Sequence, residues 1–187
     1  MFEKRALTER EREIAQELHF HTVGSPEPDY VGAKADKRLM GYQSEAWFNS
    51  ELEKEGFKHY PAGGKLGYIW RTKLGERPVR YSAEFIGDFF IDFFGNIEVK
   101  STDNPNQCNV NIRRWRQEPT LYLAAVLREG DLFSLLGWKY GFEVFECEFV
   151  GDLLRSRSFY VVREFRAPEV FKAKLIDVAN LHKRLNR

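Results

Sequence analysis

The sequence predicts an α/β fold, a mixed central sheet flanked by helices, and three observations predict it. Capped segments with apolar stripes read as helices near both ends of the chain and ahead of its centre. The stretch Tyr81–Thr102, YSAEFIGDFFIDFFGNIEVKST, reads as an apolar strand, a turn and a second strand. Leu121–Leu127, LYLAAVL, has the continuous apolar character of a strand buried on both faces.

A chain of 187 residues is long enough to bury one sizeable core, so a single domain is expected. Within it, 1–40 read as an N-terminal helix and loop, 41–127 as the core, and 128–187 as further strands and a helix. Charged residues at 30% and aromatic residues at 15% exclude both a disordered chain and a membrane-spanning one. No signal peptide is visible, and Cys108 and Cys147 lack metal-site spacing, so a cytoplasmic protein with reduced, structural thiols is expected. With a net charge of +1, any contact with nucleic acid must rest on local patches.

Thr8 and Glu11 form a capping box, and Ile14 and Leu18 follow at helical spacing, so a helix from about Glu9 to His21 is expected. His19 and His21 read as helix-end residues rather than a metal site. Ser44 is placed to cap a second helix over Glu45–Glu55 and Gly56 to end it. There Glu45 falls with Phe48 and Leu52 on the inward face, while Glu51, Glu53 and Glu55 are expected in water.

Phe57–Tyr60 reads as the first strand, followed by a glycine-rich loop whose Lys65 lacks the Walker spacing but is a candidate phosphate contact. Tyr68–Thr72 and Pro78–Ile86 read as a hairpin. After the motif strands, Ser101–Asn111 reads as a surface loop and Asn109–Gln117 as a helix, where Arg113, Arg114 and Arg116 surround Trp115. That grouping suits phosphate contact with base stacking, and equally an exposed basic helix with Trp115 in the core. Leu132–Trp138, Phe142–Val150 and Phe159–Phe165 read as later strands, with a bend at Gly137–Gly141. Pro168 opens a last helix with Phe171, Leu175, Val178 and Leu185 on its apolar stripe.

The chemistry concentrates in Tyr81–Thr102. Asp88, Asp92, Glu98 and Lys100 stand among Phe and Ile on strands, where acidic residues are depleted and rarely buried without a partner. Asp92 and Gly95 suit the first and fourth positions of a type I turn, so a three-residue loop closed by a left-handed Gly95 is expected. That register pairs Phe90 with Glu98 and Asp88 with Lys100, and puts Asp88, Glu98 and Lys100 on one face. Asp88 then lies diagonal to Glu98, about 7–8 Å away at the backbone. A two-residue Gly95–Asn96 turn puts Asp88 and Asp92 on the face opposite Glu98 instead. Glu84 and Asp92 remain alternatives to Asp88 as the acidic ligand.

Gly87-Asp88, nine residues, then Glu98-Val99-Lys100 resembles the PD-(D/E)xK nuclease superfamily, with Gly87 where that pattern often has proline. The order Gly41, Glu45, Gly56-Phe57, an acidic residue and Glu98-Val99-Lys100-Ser101 is similar to its archaeal Holliday-junction resolvase branch, over about residues 41–127. The resemblance implies the restriction-endonuclease-like αβββαβ core. It implies Mg²⁺ or Mn²⁺ held by Asp88, Glu98 and the Val99 carbonyl, with Lys100 beside the attacking water and Glu45 in support.

The expected function is thus metal-dependent phosphodiester hydrolysis, in DNA rather than RNA, by an endonuclease that works as a homodimer if it cuts junctions. The alternative is a non-catalytic nucleic-acid-binding or assembly protein that keeps the fold.

Overall fold

The computed structural model describes residues 2–23, 33–57, 59–61, 87–91, 94–111, 122–151 and 158–185. Four helices are described: α1 (Glu9–Val23), α2 (Ala33–Lys54), the single turn α3 (Gly141–Val144) and α4 (Pro168–Leu185). The strands are β1 (Arg5–Ala6), β2 (His59–Pro61), β3 (Phe89–Ile91), β4 (Gly95–Thr102), β5 (Cys108–Asn111), β6 (Tyr122–Glu129), β7 (Leu132–Tyr140), β8 (Glu148–Val150) and β9 (Phe159–Val162). A six-stranded sheet runs β1-β7-β6-β4-β3-β2, and a three-stranded sheet runs β5-β9-β8. The fold is therefore mixed α/β. All neighbours in the large sheet are antiparallel except β4 and β6.

The capping box forms as expected. The Thr8 N–H donates to Glu11 Oε2 at 2.7 Å and the Glu11 N–H to Thr8 Oγ1 at 3.2 Å, satisfying two donors that a helix start leaves open. The second helix departs from expectation, because it begins eleven residues before Ser44, at Ala33, and carries Ser44 in its interior. The Ser44 hydroxyl donates to Ser101 Oγ at 2.9 Å, so it fastens α2 to β4 instead of capping. Gly56, with φ 69°, ends the helix as expected.

Helix α2 is buried on two sides. Tyr42 and Ala46 pack on Ile14, Ala15 and Leu18 of α1, while Trp47, Phe48 and Leu52 pack on the sheet. On that sheet face Phe89, Ile91, Ile97, Val99, Ala124, Val126, Phe133, Leu135 and Trp138 meet α2 and the Phe171 and Leu175 side chains of α4. Each of the large side chains removed from water here contributes about 1.5–3 kcal/mol. In β7 the register shifts so that Leu136 is an extra residue between Leu135, opposite Val126, and Gly137, opposite Ala125. This bulge lets Phe133, Leu135 and Trp138 all face the helices despite their odd and even positions.

Helices on both sides were expected; among the described residues the long helices share one face. The other face is covered by the small sheet, where Val110, Val162 and Val144 of α3 pack on Leu123. Four further expectations are corrected. Asn109–Asn111 belongs to β5 rather than to a helix, and Phe142–Val144 is helical rather than strand. Gly137–Tyr140 lies within β7 rather than in a bend. Glu51, expected in water, is 1% exposed. It accepts bonds from Arg5 Nε at 2.9 Å, Lys54 Nζ at 2.7 Å and the Phe2 N–H, while Arg5 also grips Glu11. Burial alone would raise both carboxylates, but these partners outweigh it and hold Glu51 and Glu11 below the usual carboxylate range.

Candidate metal centre

Strands β3 and β4 pair Phe89 with Ile97, Phe90 with Asn96 and Ile91 with Gly95. Ile91 stands opposite Gly95, so the hairpin closes one position earlier than the Asp92–Gly95 turn predicts while keeping the expected odd register. The Phe94 N–H donates to the Ile91 carbonyl at 3.0 Å, and Gly95 follows with φ 111°. The ladder therefore points Asp88 at Glu98 rather than at Lys100. Face parity is unchanged by the shift, because an odd loop keeps even-numbered residues together. Phe89, Ile91, Ile97 and Val99 lie in the core under the helices, so Asp88, Asn96, Glu98 and Lys100 occupy the opposite face.

Gly87, also at φ 111°, turns the chain out of the ladder just before Asp88. The Asp88 N–H donates to the Ile97 carbonyl at 2.9 Å, and Asp88 Oδ2 accepts the Val99 N–H at 2.8 Å. A residue's N–H and C=O project to the same side of a strand, so the Val99 carbonyl also points toward Asp88. Glu98 is 1% exposed and its Oε1 accepts a bond from Lys100 Nζ, whose side chain is 22% exposed. Asp88 is half-buried. The patch thus has a buried carboxylate at its floor and a carboxylate and an amine at its rim.

Neighbours define the walls. Leu123 of β6 stands beside Glu98 and Ala125 beside Lys100 in the parallel register. Cys108 of β5 feels the Lys100 charge, and burial pushes its thiol up to about 12 although the lysine pulls the other way. Glu45 is half-buried in α2, in the helical layer on the other face of β4, next to the Ser44–Ser101 contact. The structure thus gathers Asp88, Glu98, Val99 and Lys100 into one patch, and α2 carries Glu45 next in sequence to Ser44, whose partner Ser101 follows Lys100.

Compared with protein-family models, curated proteins and solved structures, the chain matches none. Among the described residues no three His, Cys, Asp or Glu side chains cluster at metal-binding spacing. Two carboxylates and a carbonyl make up the oxygen set here, and hard oxygen donors of that kind fit Mg²⁺ or Mn²⁺. No described helix is long and apolar enough to cross a membrane. Lys65, Glu84, Asp92, Arg113, Arg114, Trp115 and Arg116, together with the Tyr68–Ile86 hairpin, lie outside the described residues.

The Arg5–Glu11–Glu51 cluster was missed by sequence reasoning. Its members are 46 and 6 residues apart from Arg5, and only the Thr8–Glu11 spacing was visible locally.

Proposed function

We propose that this protein is a divalent-metal-dependent nuclease that hydrolyses phosphodiester bonds, DNA rather than RNA. The observation that carries the reading is the convergence of Asp88, Glu98 and Lys100 on one face of the β3–β4 hairpin, with the Val99 carbonyl turned to the same side. The strand plan adds support. Three antiparallel strands, β2, β3 and β4, follow helix α2, and β6 returns parallel to β4, as an αβββαβ core requires.

In this reading Asp88, Glu98 and the Val99 carbonyl hold Mg²⁺ or Mn²⁺, which supplies Lewis-acid polarisation of a phosphate oxygen and a water acidified for attack. Lys100 is bonded to Glu98, where its charge offsets a buried carboxylate. Were Glu98 to hold the ion, the Lys100 amine would stand beside it, able to orient the attacking water and to stabilise charge on the scissile phosphate. The Asp88–Val99 bond holds one carboxylate beside the carbonyl of the same residue, so the ligand set is positioned before metal arrives.

A second reading follows from the same bonds. If the Asp88–Val99 and Lys100–Glu98 contacts exist only to complete the sheet, the protein binds nucleic acid or assembles without cutting. The deciding experiment is cleavage of labelled single-stranded DNA, duplex, flap, four-way junction and RNA with Mg²⁺ or Mn²⁺, comparing wild type with Lys100→Ala. Metal-dependent cutting by wild type alone is expected. No cutting, together with no metal binding by isothermal titration, overturns the nuclease reading.

A further inference from the structure

At the far end of β7 the chain carries aromatic rings and cations that the hairpin patch does not use. Phe142, the second residue of α3, is 52% exposed and stacks on Tyr140 with ring centroids 5.4 Å apart and planes 14° from parallel. Its outer face is thus a flat apolar surface held rigid from behind. An exposed aromatic clamped by a second ring loses little freedom when a third plane lands on it. Tyr140 is itself held in place by Trp138, edge-on at 5.0 Å.

Two cations crowd the same rings. The Arg166 guanidinium lies 4.8 Å from the Tyr140 centroid and 5.3 Å from that of Trp138, and Lys174 Nζ lies 5.6 and 5.8 Å from the same two centroids. Such contacts are attractive for each cation separately, but the cations repel each other. Among the described residues, Glu143 takes both guanidinium nitrogens of Arg166 in a bidentate pair. Lys174, hydrogen-bonded to the Tyr140 hydroxyl, adds a second positive charge beside the Arg166–Glu143 pair. An exposed ring stacked on Tyr140, with two cations against that same Tyr140, complements an occupant that is planar and apolar on its face and anionic at its rim.

We propose that Phe142, Tyr140, Lys174 and Arg166 form a subsite for one nucleotide of a single strand. The base stacks on Phe142 and the adjoining phosphate lies against Lys174 and Arg166. A duplex does not satisfy this site, because its bases are already stacked and their faces closed. The assignment rests on the nuclease reading and names the substrate it acts on as one with a single-stranded segment. Tyr140 pairs with Tyr122, and Tyr122 with Ile97, so Tyr140 is two strand spacings, about 10 Å, from the β4 backbone. Its ring packs on the helical face of the sheet, whereas Glu98 and Lys100 occupy the other, so a bound strand reaches both only around the end of the sheet where Phe142 stands.

The test measures binding, not cutting, so that it can fail independently of the nuclease reading. Fluorescence anisotropy of a labelled oligothymidylate is followed in EDTA for wild type, Phe142→Ala, Phe142→Trp, Lys174→Gln and the control Lys172→Gln, with circular dichroism to confirm folding. Phe142→Ala is expected to weaken binding about fivefold to a hundredfold, the range set by loss of one base stack. Phe142→Trp is expected to bind at least as well as wild type, and Lys174→Gln to lose affinity and lower the salt dependence by about one counterion while Lys172→Gln does not. Equal losses for duplex of the same length overturn the single-strand assignment. Unchanged affinity in folded Phe142→Ala, or no oligonucleotide binding by wild type, overturns the subsite even if cleavage of duplex is observed. So does a dimer by sedimentation that Phe142→Ala converts to monomer without any change in oligonucleotide binding, since the ring then serves a second copy of the chain.

Discussion

The Asp88 carboxylate accepts the Val99 N–H at 2.8 Å, doing the work of a strand carbonyl where Gly87 turns the chain out of the ladder. Structural and catalytic roles of Asp88 can therefore be separated by substitution. Asp88→Asn keeps an oxygen acceptor and removes the charge, whereas Asp88→Ala leaves the Val99 N–H without that acceptor. Chemical denaturation is expected to show Asp88→Ala destabilised by about 1–3 kcal/mol and Asp88→Asn by less. Metal affinity by isothermal titration is expected to fall in both by more than the roughly tenfold to hundredfold that loss of an outer-shell partner costs. Wild-type metal affinity in Asp88→Asn would make Asp88 a purely structural residue.

Lys100 and Glu98 make the second prediction. Glu98 is 1% exposed, so removing the amine leaves a buried carboxylate without that cation. Lys100→Met is expected to lose about 3–5 kcal/mol of stability in EDTA, measured by urea denaturation. Mg²⁺ is expected to restore much of that loss, more than it stabilises wild type, because the ion then supplies the charge that Lys100 no longer provides. An equal Mg²⁺ response in the two proteins would place the metal elsewhere.

The contrast between these two residues and Glu51 shows what local sequence carries. Face parity in the hairpin is legible, because an odd loop marked by Asp92 and Gly95 leaves only one way to group Asp88, Glu98 and Lys100. The register itself shifts by one, since the turn closes through Phe94 and Ile91, which have no turn signature of their own. Thr8 with Glu11, and Gly56 and Pro168, act within one helical turn and are read correctly. Ser44 is a good local cap, but α2 is buried on both sides and its tertiary contacts carry the helix through that position. Glu51 looks solvated because its partners, Arg5 and the Phe2 N–H, come from 46 and 49 residues away. The cover of the Glu98 face by β5, β8 and β9 depends likewise on pairings between distant segments.

Acid stability follows from Glu11 and Glu51. Both carboxylates are depressed in the folded chain, so they contribute stability that is fully present above their unfolded values, about 4.3, and lost as pH falls through the lower folded ones. Arg5→Met removes a cation common to both. Burial is then no longer offset to the same degree, both folded values rise, and the acid loss begins at higher pH. Denaturation midpoints measured from pH 7 to pH 3 are expected to fall earlier in Arg5→Met than in wild type. Parallel acid limbs would show that the cluster does not govern acid unfolding.

The thiols differ in burial. Cys108 is buried and its thiol is pushed up to about 12 by desolvation, while Cys147 is half-buried with a smaller upward displacement of the same origin. Since the thiolate is the reactive species, a thiol-exchange reagent at pH 8 is expected to modify one cysteine slowly in the folded protein and both after unfolding. Mass mapping should place the first label on Cys147. Early labelling of Cys108 would mean that β5 opens away from Lys100.

Gly137 links the core to the proposed nucleotide subsite. A Cβ there would stand 2.5 Å from Phe165 Cβ and 2.7 Å from the Arg166 carbonyl. Neither atom belongs to the end of a flexible side chain, and the Arg166 backbone is tied to Trp138 in both directions, at 3.1 and 2.8 Å. Gly137→Ala must therefore push the 165–166 segment off β7, at a cost of about 1–3 kcal/mol for an overpacked core. The same displacement carries the Arg166 guanidinium away from Tyr140, so oligonucleotide affinity is expected to fall along with stability. Phe142→Ala, which touches no part of that close approach, is expected to lower affinity alone. If Gly137→Ala loses stability but binds single strands as tightly as wild type, Arg166 has no part in the subsite and Lys174 alone supplies its charge.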